Sequence, residues 1–370
     1  MLANTHPEIE SFAAAIVHWQ KQAGRHDLPW QASRDPYPIW LSEIMLQQTQ
    51  VGTAIGYYER FLTRFPTLQA LARATQEEVM PYWAGLGYYA RARNLHRCAQ
   101  QIVEQWNGQF PRKVTDLMQL PGIGRSTAAA IAAFAYGDRQ PIMDGNVKRV
   151  FTRYFGLYGN PASRAVELEL WNCAQIVLDA ADPKLDMTGY IQGLMDLGSG
   201  CCTRSRPACM QCPLNTHCYA KLESLQHELP TPKPKKKNGE RQCKMLILEQ
   251  NGKILLEKRP SPGIWGGLWS LPQYEDQRTL AEACQGLGAD IGQGRKMAAL
   301  QHVFSHFKLY IEPWYLHCPP TRVAEPGPEQ AWTAITDLAG TALPAPVKKL
   351  LRGINEIIGS IGKNAPQLPT

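Results

Sequence analysis

The sequence predicts two domains of different class, an all-α domain over residues 1–225 and an α+β domain over residues 242–370. Three observations carry this. Apolar residues recur at helical spacing through the first part: Trp40 with Ile44 and Leu41 with Met45, then Leu95, Ile102 and Trp106, then Leu168, Trp171 and Ile176. The stretch from Leu229 to Gly239, with three prolines and four lysines, breaks that rhythm and predicts an exposed, semi-extended linker at 226–241. Beyond it the period shortens. Met245–Glu249 and Lys253–Glu257 are short apolar runs joined across Asn251-Gly252, a hairpin signal. Phe307, Leu309 and Ile311 alternate with Lys308, Tyr310 and Glu312, as a half-buried strand does, and residues 346–358 predict a closing amphipathic helix.

The composition fits ordinary globular folds: 370 residues, 44% hydrophobic and 19% charged. No apolar run approaches the ~18 residues of a membrane span. The N-terminus carries acids and a helical pattern (Phe12, Ile16, Trp19) rather than a signal peptide. A cytoplasmic protein with no membrane partner is expected, and a monomer. The net charge of +7 is spread along the chain, which excludes a strongly basic DNA-coating protein. A nucleic-acid role therefore has to rest on motifs.

The first motif is a cysteine loop. Cys202, Cys209, Cys212 and Cys218 stand in C-x6-C-x2-C-x5-C spacing, while the other six cysteines are scattered, as in a reducing compartment. Structural zinc usually takes two short knuckles, and only one is present. A single loop wrapping four thiolates around one compact centre suits a [4Fe–4S] cluster better, although the spacing matches neither common ferredoxin pattern. Between the first two cysteines, Arg204 and Arg206 either present charge to phosphates or are simply solvated.

The second motif is Leu120-Pro121-Gly122-Ile123-Gly124, followed by an Ala-rich helix from Arg125 to Tyr136 and a capping Gly137. Glycines flanking one aliphatic residue at a helix start can turn backbone N–H groups outward onto a phosphate. A lone G-x-G is weak evidence, but with Leu-Pro before it the segment resembles the helix–hairpin–helix of the DNA glycosylase superfamily. That resemblance implies a catalytic Asp about twenty residues on, where Asp144 stands; its plainer reading is a helix N-cap. The third motif is an apolar helix interrupted by one acid. Glu43 has Trp40, Ile39, Leu46 and Gln47 at the spacings that share its face. Desolvation there would raise its pKa and leave it protonated near neutral pH, as a general acid requires. The plainer reading is a surface glutamate on an exposed turn.

Longer stretches make the resemblance specific. Leu28-Pro29-Trp30, Trp40 through Val51, Gly85 through Leu95, and Asp144 through Arg149, together with the cysteine loop, resemble the MutY family of adenine DNA glycosylases over residues 25–220. The resemblance implies a helix–hairpin–helix core, with a hairpin lobe at about 30–140 and a cluster lobe formed by the N-terminus plus about 141–225. It implies one [4Fe–4S] cluster on Cys202 rather than its neighbour Cys201, with Cys209, Cys212 and Cys218. It also implies duplex DNA carrying A opposite 8-oxoguanine or G as substrate, and nucleoid association with it. Glu43 would protonate the adenine, Asp144 would stabilise the sugar cation, and Asn146 would orient Asp144 or the attacking water. Gln48 and Tyr88 match residues that wedge the stack, and Gln192 matches one that contacts the base. Trp30, Leu46, Thr49, Gly122 and Gly124 fall within the DNA- and base-contacting motifs, and Arg91 and Arg93 are phosphate-contact candidates or simply solvated. Endonuclease III carries a nucleophilic lysine where this chain has Ser126, so a monofunctional enzyme using water is implied. Lys148 is not expected to substitute.

In the second domain, Ser261 through Pro272 resembles the stretch before the catalytic box of Nudix hydrolases. The following helix offers only Glu282 where that box holds several metal-binding acids. A Nudix-like fold without the hydrolase is expected, with Phe304, Ser305 and His306 matching a loop that recognises 8-oxoguanine. On the residues alone, those three read as a strand entry with a packed Phe. Rival functions are an endonuclease III-like lyase acting on oxidised pyrimidines, a Nudix nucleotide hydrolase, and a non-catalytic iron–sulfur DNA-binding protein.

Overall fold

The computed structural model describes residues 8–232, 239–318 and 326–361, with side chains up to 354. The linker lysines at 233–237 lie outside the described residues. The chain forms two compact units. The first is helical: α1 (Ile9–Ala23), α2 (Pro36–Leu46), α3 (Val51–Arg64), α4 (Leu68–Arg73), then most of α6, α7 (Val114–Leu117), α8 (Arg125–Tyr136), α9 (Gly145–Phe155), α10 (Arg164–Ala180), α11 (Met187–Asp196) and α12 (Tyr219–Leu222). The second unit holds α5 (Gln76–Trp83) and the start of α6 (Ala90–Gln105) together with the residues from Gly239 on.

Helix α8 shows how sequence sets the interior of the first unit. Ala128 through Ala133, broken only by Ile131, are all buried, so the helix presents no large side chain except that one to α2, α7 and α11. Larger residues there would overpack at about 1–3 kcal/mol each. Gly124 starts the helix and Gly137 ends it in the left-handed conformation (φ 72°). Helix α2 is also buried nearly all round, through Ile39, Trp40, Leu41, Ile44 and Met45. The α10 helix forms as the sequence predicts, with Trp171 and Ile176 partly buried against the core. Leu170, Cys173, Ala174, Val177 and Leu178 face the core, whereas Leu168 is exposed and Trp171 stacks under the Arg125 guanidinium at 3.9 Å.

The second unit centres on a mixed sheet. Strand β1 (Gly239–Gln250) runs parallel to β7 (Phe307–His317) from Gly239 opposite Phe307 to Glu249 opposite His317. It therefore begins inside the stretch read as linker, because Gly239, Glu240 and Arg241 already pair with Phe307, Lys308 and Leu309. Strand β2 (Lys253–Lys258) returns through Asn251 and Gly252, both at positive φ (51° and 71°), the two-residue turn that sequence predicts. Helix α13 (Gln277–Gly286) packs on this sheet and α14 (Ala345–Ile361) closes the chain. Residues 74–93, counted with the hairpin lobe in the sequence reading, pack with this unit: Glu77 pairs with Lys258, and the Arg93 guanidinium donates to the Gly266 carbonyl. Among the described residues no helix is long and apolar enough to cross a membrane.

Candidate active site

Two carboxyls on different elements of the helical unit are coupled through their charge. Glu43 projects from α2, whose apolar surroundings desolvate it and push its pKa up to about 8, with the charge of Asp144 as the second cause. Asp144 is the N-cap of α9, and its Oδ1 accepts the Val147 N–H at 2.7 Å. The plain capping reading is thus correct and does not compete with the other, since capping aims the carboxyl. Burial raises the Asp144 pKa, while the Val147 and Asn146 N–H groups and the nearby Arg149 and Lys148 pull it back. Both causes acting on Glu43 push it upward, whereas on Asp144 the upward push of burial is countered by those four groups. Opposed environments of this kind divide a carboxyl pair into an acid and a carboxylate.

Asp144 and Asn146 open onto a broad cleft that is also lined by Leu46, Gln48 and Thr49 from the turn after α2, and by Arg25, Arg149 and Arg204. Gln48 is exposed and held at φ 58°, uncommon for a residue with a side chain. The Asn146 amide does not bond to Asp144; its Oδ1 accepts from Arg149, and its backbone N–H reaches the carboxylate instead. Arg149 also donates to the carbonyls of Cys202 and Gly198. A second, smaller pocket adjoins α2, lined by Trp30, Ile39, Ser42, Phe134, Asp186 and Gln192. Trp30 stands edge-on to Tyr58 (5.3 Å), and Gln192 is buried with its Nε2 donating to Asp196 at 2.9 Å. Asp196 in turn accepts from the Arg25 backbone N–H (2.9 Å) and Nε (2.7 Å). Sequence reasoning missed Arg25 and Asp196, which are 171 residues apart and meet only in the fold.

The hairpin behaves as its glycines require. Gly122 sits at φ 80°, and a Cβ there would lie 2.9 Å from that of Asn94, whereas Gly124 faces open space. Ser126 accepts the Met143 N–H at 3.0 Å, one residue before Asp144. Lys148 is paired with Glu167 at 2.5 Å.

The four cysteines of the loop line one small cavity, bordered by Cys201, Arg153 and Lys221. Arg153 donates to the Cys202 sulfur at 3.3 Å and to the Thr203 carbonyl at 2.8 Å. Among the described residues no three ligating side chains converge closely enough to hold a single ion. Four thiol donors lining one cavity are the kind of donor set that a metal centre takes. A π-turn, Leu197–Cys201, leads from α11 into Cys202.

Among the other predicted residues, Tyr88 is exposed at φ 49° beside left-handed Gly87. Arg91 is half-buried rather than solvated: its guanidinium packs near the Trp83 ring and donates to the Leu86 and Gly87 carbonyls, and burial lowers its pKa to about 10. Arg93 is likewise engaged, with Gly266. In the sheet unit, Phe304 stacks on Phe307 (4.4 Å) and meets His302 edge-on, leaving Ser305 and His306 exposed at the turn between β6 (Leu300–Val303) and β7. Glu282 is the sole acid of α13 and lies exposed near Arg278.

A helical hairpin unit with a recessed carboxyl pair, joined to a sheet unit of Nudix type, defines a DNA base-excision enzyme. Residues 41–175 match the HhH-GPD superfamily of base excision DNA repair proteins, and residues 243–353 match the NUDIX domain. The chain is 33% identical to an adenine DNA glycosylase of Buchnera aphidicola over 94% of its length and 98% of the relative's. It is also 33% identical to the adenine DNA glycosylase of Homo sapiens, covering 93% of this chain and 74% of that one. The structure of a thermostable thymine-DNA glycosylase aligns with 59% of this chain and 99% of its own, at 25% identity and a TM-score of 0.52. The chain belongs to the adenine DNA glycosylase family, and it is a glycosylase of base excision repair.

Proposed function

We propose that the enzyme hydrolyses the N-glycosidic bond of adenine paired with 8-oxoguanine or guanine in duplex DNA, using water and no Schiff-base intermediate. The observation that carries this is the carboxyl pair: Glu43, pushed up to about 8 chiefly by burial, beside Asp144, whose own upward push from burial is countered by the Val147 and Asn146 N–H groups and by Arg149 and Lys148. Adenine leaves poorly as an anion, so a proton from Glu43, delivered to N7 as the resemblance implies, lets the bond break. The sugar becomes cationic, and the Asp144 carboxylate stabilises it until water adds, the two-carboxylate logic of glycoside hydrolysis. The base must first leave the stack, at a cost of a few kcal/mol. Gln48 and Tyr88, both exposed in left-handed turns, are the residues to fill the gap it leaves. The pocket of Trp30 and Gln192 takes the base: with Nε2 committed to Asp196, the Gln192 carbonyl is free to accept from a 6-amino group. The open backbone at Gly124 suits a phosphate approach, and Ser126 in place of a lysine leaves no amine to form a Schiff base. Cys202, Cys209, Cys212 and Cys218 would hold one [4Fe–4S] cluster, which would staple their loop.

A phosphate-reading hairpin carries no sequence information, so the opposite base has to be read elsewhere. Ser305 and His306, exposed on a turn braced by the Phe304–Phe307 stack, offer polar groups for the added N7–H and C8 oxygen of 8-oxoguanine. Replacing Phe304, Ser305 and His306 together with alanine is expected to leave excision opposite G intact. Each hydrogen bond is worth about 1 kcal/mol, so the preference for 8-oxoguanine should narrow by about five- to thirtyfold. Excision rates at limiting enzyme on both mispairs measure this. The broader test is strand scission after alkali on duplexes bearing A opposite 8-oxoguanine, A opposite G, or thymine glycol. Preferential cutting at thymine glycol would overturn the proposal.

A further inference from the structure

We infer that Ser126 and Thr127, consecutive residues in the first turn of α8, form a clamp that sets the separation of the two carboxyl-bearing elements. The inference rests on the reading of Glu43 and Asp144 as the reacting pair. Ser126 Oγ accepts the N–H of Met143, in the extended segment that delivers Asp144 one residue later. Thr127 Oγ1 accepts from the Gln47 amide at 3.3 Å, and Gln47 is the C-cap of the helix that carries Glu43. One turn of one helix therefore holds both elements, each by a side-chain oxygen.

The anchor is stiff. Ala128 to Ala133 immediately behind it are all buried, so α8 cannot shift without disturbing the packed centre of the unit. Helix α8 also begins at Gly124, which ties the clamp to the hairpin: a phosphate seated on the backbone there would bear directly on the turn that holds both carboxyls. Neither hydroxyl needs to touch the substrate. Ser126 and Thr127 are positioning residues, and in the clamp Ser126 has a task of its own beyond standing where a lysine is absent.

Misplacing a reacting group by about 1 Å can cost about a hundredfold in rate. Ser126→Ala and Thr127→Val are each expected to lower the single-turnover excision rate by about tenfold or more, with affinity for the mispaired duplex within about threefold of the parent. The hydroxyl-retaining Thr127→Ser is expected to restore most of the rate. The pH profile supplies a readout that a general loss of stability would not move. Part of the upward push on Glu43 comes from Asp144, so letting the elements part lowers the Glu43 pKa and moves the alkaline limb of the rate profile to lower pH. Parental rates with an unmoved limb in both variants would overturn the clamp. Should Ser126→Ala fail to fold, Thr127→Val decides the question alone, since its bond reaches only a helix cap. Glu43→Gln run alongside separates the two readings: if that variant excises adenine normally, the carboxyl assignment has failed rather than the clamp.

Discussion

Glu43→Gln is expected to abolish nearly all excision while leaving binding to the mispaired duplex close to that of the parent. The substitution keeps the shape and polarity of the side chain and removes only the transferable proton. Positioned general acids contribute about a hundred- to ten-thousandfold, and adenine depends on protonation to leave, so the loss belongs at the upper end. The parent should show a rate that is high while Glu43 is protonated and falls as pH rises through about 8. On the acid side the rate should fall once Asp144 is protonated, above the ordinary aspartate range because burial raises it. Stability has its own sign. A carboxyl with a raised folded pKa contributes stability that is complete below its unfolded value near 4.5 and is lost as pH rises through about 8. The glutamine variant loses no such contribution, so above pH 8 it should melt at or above the temperature of the parent. Single-turnover rates across pH, with thermal melts at pH 6 and pH 9, check both halves. A glutamine variant that retains appreciable excision would place the acid on another residue.

What the sequence disclosed and what it hid divide along a physical line. Helix α2, the hairpin glycines, the Asn251-Gly252 turn and the Asp144 cap are written in local rules: apolar spacing, positive-φ positions and capping chemistry. The composition of α2 alone also signalled that Glu43 would be desolvated. The hidden part is what joins segments distant in sequence. Arg25 with Asp196, Ser126 with Met143 and Gln47 with Thr127 leave no periodic trace, because each is a single contact made by chain folding. The same holds for Arg93, whose basic character suggested a phosphate while its partner is the Gly266 carbonyl. On α10, Trp171 and Ile176 pack partly against the core, while Leu168, equally apolar, is exposed, since its side of the helix meets neither α1 nor α9 at its core.

Cys209→Ser is expected to cost DNA binding far more than it costs helicity, and to remove the broad visible absorption of an iron–sulfur centre. The loop that carries the four cysteines is short of regular structure: it holds a π-turn, one turn of 3-10 helix at Cys209–Gln211 and the brief α12. Beside short turn bonds of its own, such as the Ala208 N–H to Cys201 and the Cys212 N–H to Cys209, it is tied from outside through Arg149 to the Cys202 carbonyl and Arg153 to Thr203 and Arg204. Cys201 and Leu214 anchor it in the core, but none of the residues at Cys209–Gln211 is buried. A group gripping four thiolates would thus supply much of the free energy that orders the loop, as metal binding does in small metal-stapled folds. Yet this loop forms one wall of the cleft onto which Asp144 opens, through Ser199, Gly200, Arg204, Ala208 and Gln211. Loosening it removes a wall and the Arg204 charge together, while α1, α8, α9, α10 and α11 keep most of their common core. Far-ultraviolet circular dichroism should therefore stay near the parental signal, while affinity for the mispaired duplex falls by about a hundredfold or more, the scale of losing several phosphate contacts. The salt dependence of binding should become shallower as contacts are lost. Parental protein purified without oxygen that is colourless and carries zinc would refute the cluster; a coloured Cys209→Ser variant with parental affinity would remove Cys209 from the ligand set.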